Sequence, residues 1–307
     1  MLNDLAISAQ GLTRYFGDRA VVEYLDLQVP RGSVTGLLGL NGAGKTTTLR
    51  MLMGFLTPSR GESQLLGKDS QQLSVEDRAR IGYTVEGHFI YSWMSVRQSE
   101  KFQRATFPRW SGSMFESTVR RFGIDPSQKI RNLSRGQRAG VSLALTLATE
   151  PELLILDDPA MGLDPVSRSA LNETLLDVCN GGTRTVLLSS HLLDDVERVA
   201  DRVLVMVHGR LIVNTTIDDF RNRISSWSIK VPPASRAIHS IPGLVFSKPL
   251  GDRTIVTIAD SDEETESALM RIGGHSVERL PITFGEAVTA YLSQSRENDS
   301  FCANAGA

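Results

Sequence analysis

The sequence predicts an α/β fold with a mainly parallel sheet, an inserted helical segment and a small α+β appendix. Three observations carry this expectation. Unbroken apolar runs, Val34 to Leu38 and Leu153 to Leu156 above all, read as strands buried on both faces of a sheet. Further strand-like runs at Ile81 to Val85, Thr185 to Ser189 and Val203 to Val207 alternate with helical stretches, the pattern of a parallel core. Near Thr215 the pattern changes to strands followed by helices.

Taken in order, Ala6 to Ala9 and Val22 to Val29 read as strands joined through Gly17-Asp18, and Pro30-Arg31-Gly32 as a turn. A helix follows the Val34 strand, with its first turns at Thr48 to Met53. Pro58 to Gly61 turns into a strand at Glu62 to Leu66. After Glu86-Gly87, residues 88 to 132 are aromatic-rich and helical in period (Phe89, Tyr91, Trp93, Phe102, Phe107, Trp110, Phe115, Phe122), and we place a helical subdomain at about 88–150. Leu192 to Val199 reads as a helix with acidic residues in its first turns. In the appendix, Ser225 to Val231 and Thr254 to Ile258 read as strands, Asp262 to Ile272 and Thr283 to Leu292 as helices, and Pro232-Pro233 and Lys248 to Gly251 as loops. The expected domains are therefore 1–215, 216–295 and a flexible polar tail, 296–307.

Composition narrows the function classes. The 307 residues allow one large domain or two modest ones, and a formal charge of −2 provides no global basic field for nucleic acid. Two cysteines, Cys179 and Cys302, argue against a disulfide framework and fit a reducing cytosol. No apolar run reaches membrane-spanning length, and Met1 to Asp4 lacks the features of a signal peptide, so a cytoplasmic protein is expected.

The chemistry concentrates in Gly39-Leu40-Asn41-Gly42-Ala43-Gly44-Lys45-Thr46-Thr47. This is the pattern G-x-x-x-x-G-K-[ST], and it lies between a strand and a helix, the context that makes it a phosphate-binding loop. Glycines such as Gly39, Gly42 and Gly44 let successive N–H groups, Asn41 included, point inward as an anion nest. The helix start adds its positive dipole end, Lys45 reaches β- and γ-phosphates, and Thr46 offers its hydroxyl to Mg²⁺ with Thr47 beside it. Such a loop needs a carboxylate at the end of a second strand to hold Mg²⁺, and Asp157 fits; Asp158, adjacent, can orient the attacking water. Tyr15 or Phe16 can stack on adenine or fill core.

Two further stretches complete the set: Leu133-Ser134-Arg135-Gly136-Gln137 and Ser189-Ser190-His191. Together the motifs resemble the ATP-binding-cassette (ABC) ATPases, the nucleotide-binding subunits of transporters, over roughly residues 4 to 215. The five-residue signature ending at Gln137 is the specific part. The resemblance implies a P-loop NTPase core with a mainly parallel sheet, an antiparallel β subdomain and an inserted helical subdomain. It implies a head-to-tail dimer with a second ABC subunit, identical or not. Each ATP then sits on one subunit's loop, stacked on Phe16, and is covered by the other's Ser134, Gly136 and Gln137. His191 contacts the γ-phosphate, Asp164 meets the partner, and Glu86 approaches the Mg²⁺ shell.

Three positions depart from the family's pattern. Arg135 replaces a usual glycine, Glu86 a usual glutamine, and Asp158 the catalytic glutamate. A carboxylate one methylene shorter sits about 1.3–1.5 Å back from the water, and misplacement of that size costs about 100-fold in rate, so slow turnover is expected.

The leading expectation is the ATPase subunit of a membrane exporter, peripheral on the inner face of the cell membrane through an integral-membrane permease that docks at Phe89 to Met94. The alternatives are an ABC ATPase acting on ribosomes or nucleic acid, and a slow nucleotide-switched regulator. No basic aromatic stripe speaks for a nucleic-acid partner, and only Asp158 speaks for the regulator. The transported substrate is not legible, because in this family the membrane partner selects it.

Overall fold

The computed structural model describes residues 4–85, 87, 90–179, 184–231, 236–273 and 276–293. Glu86, Phe89, Pro232-Pro233, Cys302 and the polar tail lie outside these residues. The chain divides into two compact units, Met1–Asn214 and Thr215–Ala307.

The first unit is built on two sheets. One is antiparallel: β1 (Leu5–Phe16) pairs with β2 (Arg19–Pro30) and β4 (Arg60–Leu65), and β5 (Lys68–Asp69) closes the edge. The other has six strands: β3 (Val34–Leu38), β6 (Ile81–Thr84), β7 (Leu153–Asp157), β8 (Thr185–Ser190), β9 (Arg202–Val207) and β10 (Arg210–Thr216). Their order is β10-β9-β3-β8-β7-β6, and β9, β3, β8, β7 and β6 run parallel. The fold class expected from the sequence is thus the one observed.

Between the sheets lies α1 (Lys45–Leu52), whose Leu49, Met51 and Leu52 are fully buried in one cluster with residues of both. The short α2 (Val75–Arg78) precedes β6. The helical segment comprises α3 (Val96–Thr106), α4 (Gly112–Arg121) and α5 (Arg135–Ala148), with Phe115 and Phe122 in its interior. Its aromatics divide by depth. Tyr91, Trp93 and Phe102 are exposed and touch as neighbouring rings at 6.2 and 6.3 Å, whereas Trp110 is half-buried against Phe115. Two more helices, α6 (Pro165–Cys179) and α7 (Leu193–Val199), follow β7 and β8. Cys179 is a free thiol that burial pushes up to about 11.

The second unit carries α8 (Ile217–Arg223), β11 (Ile224–Ile229), β12 (Leu244–Leu250), β13 (Arg253–Ala259), α9 (Glu263–Gly273), β14 (Glu278–Leu280) and α10, residues 284–293. Its antiparallel sheet has the order β12-β13-β11-β14 around Trp227, Ile229, Val256, Ile258 and Leu269. One expectation is corrected here: Lys248, Pro249 and Leu250 are strand, not loop. β12 is an edge strand, so Pro249 can turn its missing N–H side to solvent.

Candidate nucleotide site

β3 lies centrally between β8 and β9, and all five of its residues are buried. Its C-terminal end opens into the glycine loop. Gly44 is the N-cap of α1 at φ 104°, ψ 4°, and a Cβ there would stand 2.7 Å from the Val21 carbonyl oxygen. Only glycine takes that backbone and that approach together. Lys45 to Thr47 form the first turn of α1, so the helix begins three residues earlier than the sequence suggested. Val21, Leu40, Asn41, Gly42, Lys45, Thr46 and Asp158 help line a cavity of about 290 Å³ over the loop.

The polar groups around this cavity form one hydrogen-bonded set. Parallel pairing of β7 with β8 places Asp157 opposite Ser189. The Thr46 and Ser189 hydroxyls both donate to Asp157 Oδ1, at 3.1 and 2.9 Å. The Asp158 amide donates to Ser189 Oγ at 3.0 Å, and Asp158 Oδ1 lies 2.8 Å from His191 Nδ1. Lys45 Nζ donates to the Gly39 carbonyl at 2.8 Å and stands 3.8 Å from Asp158 Oδ2. Lys45, Asp157 and Asp158 are all buried. Asp158 sits at φ 47°, left-handed backbone that aspartate tolerates better than most residues. Behind them Tyr83 packs on Phe55, and burial, reinforced by the Asp157 charge, pushes its phenol up to about 12.

Ser134, Gly136, Gln137 and Asp164 gather elsewhere, and neither they nor Phe16 line this cavity. Ser134 is the N-cap of α5 and forms a capping box with Gln137: the Gln137 amide donates to Ser134 Oγ, and the Ser134 amide to Gln137 Oε1, both at 3.1 Å. Gly136 is buried against Ser167 and Asp164. Asp164 caps the start of α6, accepting from the Ser167 amide at 3.0 Å and its hydroxyl at 2.7 Å, contacts that hold its carboxyl below the usual range. Phe16 stands exposed at the end of β1 with the Arg14 guanidinium 4.8 Å above its ring. Glu86 lies outside the described residues.

Sequence reasoning named Ser189 in the stretch ending at His191 but gave it no role in the site. It joins both carboxylate positions, and its signal was a serine at the end of an otherwise apolar strand. A glycine loop with a buried lysine, a helix-start threonine and a carboxylate ending a neighbouring parallel strand define a phosphate-loop nucleotide-binding protein.

Comparison with known proteins narrows that class. A family described as "ABC transporter" matches residues 22–161. The daunorubicin resistance ATP-binding protein DrrA3 of Streptomyces coeruleorubidus is 36% identical over 223 residues, 71% of this chain and 70% of that protein. The daunorubicin/doxorubicin resistance ATP-binding protein DrrA of Streptomyces peucetius is 31% identical over 312 residues, covering 98% of this chain and 92% of the relative. A solved ATP-binding subunit of an ABC transporter superposes with a TM-score of 0.64 at 27% identity, over 71% of this chain and 92% of that one. The chain belongs to the ABC transporter family, as an ATP-binding subunit. An ATP-binding cassette solved as a dimer with ADP and phosphate shares the fold, with a TM-score of 0.61 at 18% identity over 68% of this chain and 98% of that one.

Proposed function

We propose that this chain hydrolyses ATP to drive an exporter, by closing as a head-to-tail dimer beneath a separate integral-membrane permease. The observation that carries this reading is the division of its site residues. Thr46, Asp157, Ser189, Asp158 and His191 are wired together around the loop cavity, while Ser134, Gly136 and Asp164 group at the starts of α5 and α6. A phosphate held by the loop of one subunit would be covered by the Ser134 group of the other.

Thr46 and Asp157 fit a Mg²⁺ ion: a hydroxyl and a buried carboxylate, already 3.1 Å apart, are the hard oxygen donors this cation takes together with substrate phosphates and water. When bound, the ion neutralises charge on the transferred phosphoryl group. Asp158 orients the attacking water and His191 fixes Asp158 through Nδ1, leaving Nε2 to face the γ-phosphate. Lys45 supplies a cation to the phosphates. With aspartate in place of glutamate, turnover is slow while ATP affinity is ordinary. Phe16, exposed at its strand end, stacks on adenine.

The permease docks at the helical segment. A cavity of about 600 Å³ is lined by Tyr83, Tyr91, Met94, Phe102 and Leu145 among others, with Trp93 exposed nearby in sequence. Exposed aromatics beside a cavity are anchor material for a partner helix. No helix among the described residues is long and apolar enough to cross a membrane, so attachment to the inner face runs through that partner. The unit Met1–Asn214 supports reading residues 1–215 as the ATPase domain and 216–295 as an accessory domain. Relatives named for daunorubicin and doxorubicin resistance and for bacitracin transport point to a drug or antibiotic as cargo.

A mild-detergent pull-down of the tagged chain from its native membranes tests this reading. A multi-span membrane protein should co-purify, and Trp93→Ala should weaken that association while ATP binding persists. Recovery of ribosomes or nucleic acid instead would overturn it.

A further inference from the structure

Arg135 is the first residue of α5, where a cation meets the positive end of the helix dipole. Its guanidinium lies against Gly162, so close that a Cβ at 162 would overlap its nitrogens. Gly162 has a φ of +68°, so the segment that runs from Asp158 to Asp164 turns at this point. The next residue of α5 repeats the contact in reverse. A Cβ at Gly136 would overlap the Ser167 hydroxyl and come 3.2 Å from Asp164 Oδ2. One glycine on each side therefore lets the start of α5 interlock with the 158–167 segment.

That segment begins at the site. Asp158 is its first residue, in strained left-handed backbone, and its carbonyl accepts from the Met161 amide at 3.1 Å. Met161 itself lines the cavity over the phosphate loop. Gly162, directly after it, is the residue that Arg135 covers. A planar guanidinium lying on a peptide restricts that peptide in a way a flexible ammonium does not.

We propose that Arg135 is a positioning residue for hydrolysis: by seating on Gly162 it fixes the 158–164 loop and so holds the Asp158 carboxylate beside His191. The inference rests on reading Asp158 as the group that orients the attacking water. Arg135 acts here through the loop of its own chain; a direct contact with the phosphate of a partner subunit's nucleotide would leave exchange over 158–164 unchanged.

The test uses the full chain with Arg135→Gly, Arg135→Lys and Gly162→Ala, alone and combined. Hydrogen–deuterium exchange of peptides covering 158–164 reads the contact. Exchange should rise several-fold in Arg135→Gly, and Arg135→Lys should restore less than half of the protection. Steady-state kinetics read the consequence: kcat should fall about threefold to tenfold with KM for ATP within about twofold, the mark of an interaction made in the transition state only. Gly162→Ala should cost less in the Arg135→Gly background than in the wild type. The backbone strain is the same in both, but the overlap is relieved in one. Unchanged exchange, equal Gly162→Ala effects in both backgrounds, or a change confined to KM would overturn the proposal. A wild-type chain without ATP turnover would instead end the hydrolysis reading, and the exchange data would still decide the Arg135 contact.

Discussion

The two groups of site residues satisfy their polar atoms in different ways. Around the phosphate loop, groups from α1, β7, β8 and the segments after β7 and β8 bond to one another: Thr46 and Ser189 to Asp157, the Asp158 amide to Ser189, Asp158 to His191. At the starts of α5 and α6, Ser134, Gln137 and Asp164 bond mainly within a few residues of themselves, as helix caps, with one longer bond donated by Gln137 Nε2 to the Gly123 carbonyl at 3.3 Å. The first arrangement can exist only in the assembled tertiary fold. In the second, the caps form from local sequence, and only the packing of Gly136 and Arg135 on the 158–167 segment is tertiary. A networked half loses several contacts when one member goes, whereas a capped half loses a helix terminus and whatever it presents.

That difference orders the expected effects. Lys45→Ala removes a buried cation beside Asp158 and the Gly39 carbonyl, so ATP affinity and turnover should both fall, turnover by about 100-fold or more, as for loss of one preorganised charge clamp. Fluorescent-nucleotide titration and phosphate release check both steps, and retained turnover would break the comparison at its strongest point. Ser134→Ala removes a cap and one proposed phosphate donor. Its turnover should drop about tenfold while ATP affinity of the single chain stays within about twofold, and unfolding should become easier by about 1 kcal/mol. A loss of affinity equal to that of Lys45→Ala would mean that the two halves are not separate. Asp158→Glu lengthens the carboxylate toward the water and should raise kcat several-fold, up to about tenfold; no rise would show that side-chain length does not limit the rate.

The smallest effect belongs to a pair remote from both halves. Arg80 and Glu152 bond twice, at 2.8 and 2.7 Å, at the base of β6 and β7. The Arg80 hydrogen bonds hold the Glu152 carboxyl below its ordinary value despite opposing burial. Stability from this pair is therefore present above the unfolded carboxylate value and lost as pH falls through the lower folded one. Both side chains are about one-third exposed, so the contribution is about 0–1 kcal/mol. The melting temperature of Glu152→Gln should sit slightly below wild type at neutral pH and converge on it in acid. A gap that persists in acid would assign the loss to packing.

Much of this was legible in the residues because it is local. The strand–loop–helix around Gly39 to Thr47 and the buried runs of β3 and β7 announce themselves by composition and spacing. What escaped depends on pairing or on broken periodicity. β1 extends to Phe16, but its register shifts between Ala9 and Leu12 and again beyond, so period-two alternation is visible only at Ala6 to Ala9. Ser189 matters because parallel register sets it opposite Asp157, and no spacing within one strand says so. Pro249 reads as a loop residue until β12 is seen to be an edge. Arg135 reads in the sequence only as a departure from the family's pattern, since its contact with Gly162 joins segments 27 residues apart.

The depth of Trp93 gives the chain an optical handle. Trp93 is 63% exposed, whereas Trp227 is 9% exposed and lies under the Arg279 guanidinium, and Trp110 is half-buried. Acrylamide therefore quenches Trp93 first, and its emission lies reddest of the three. If a permease helix covers that ring, the long-wavelength shoulder shifts to the blue and loses its quenching, so docking becomes visible in real time without any label.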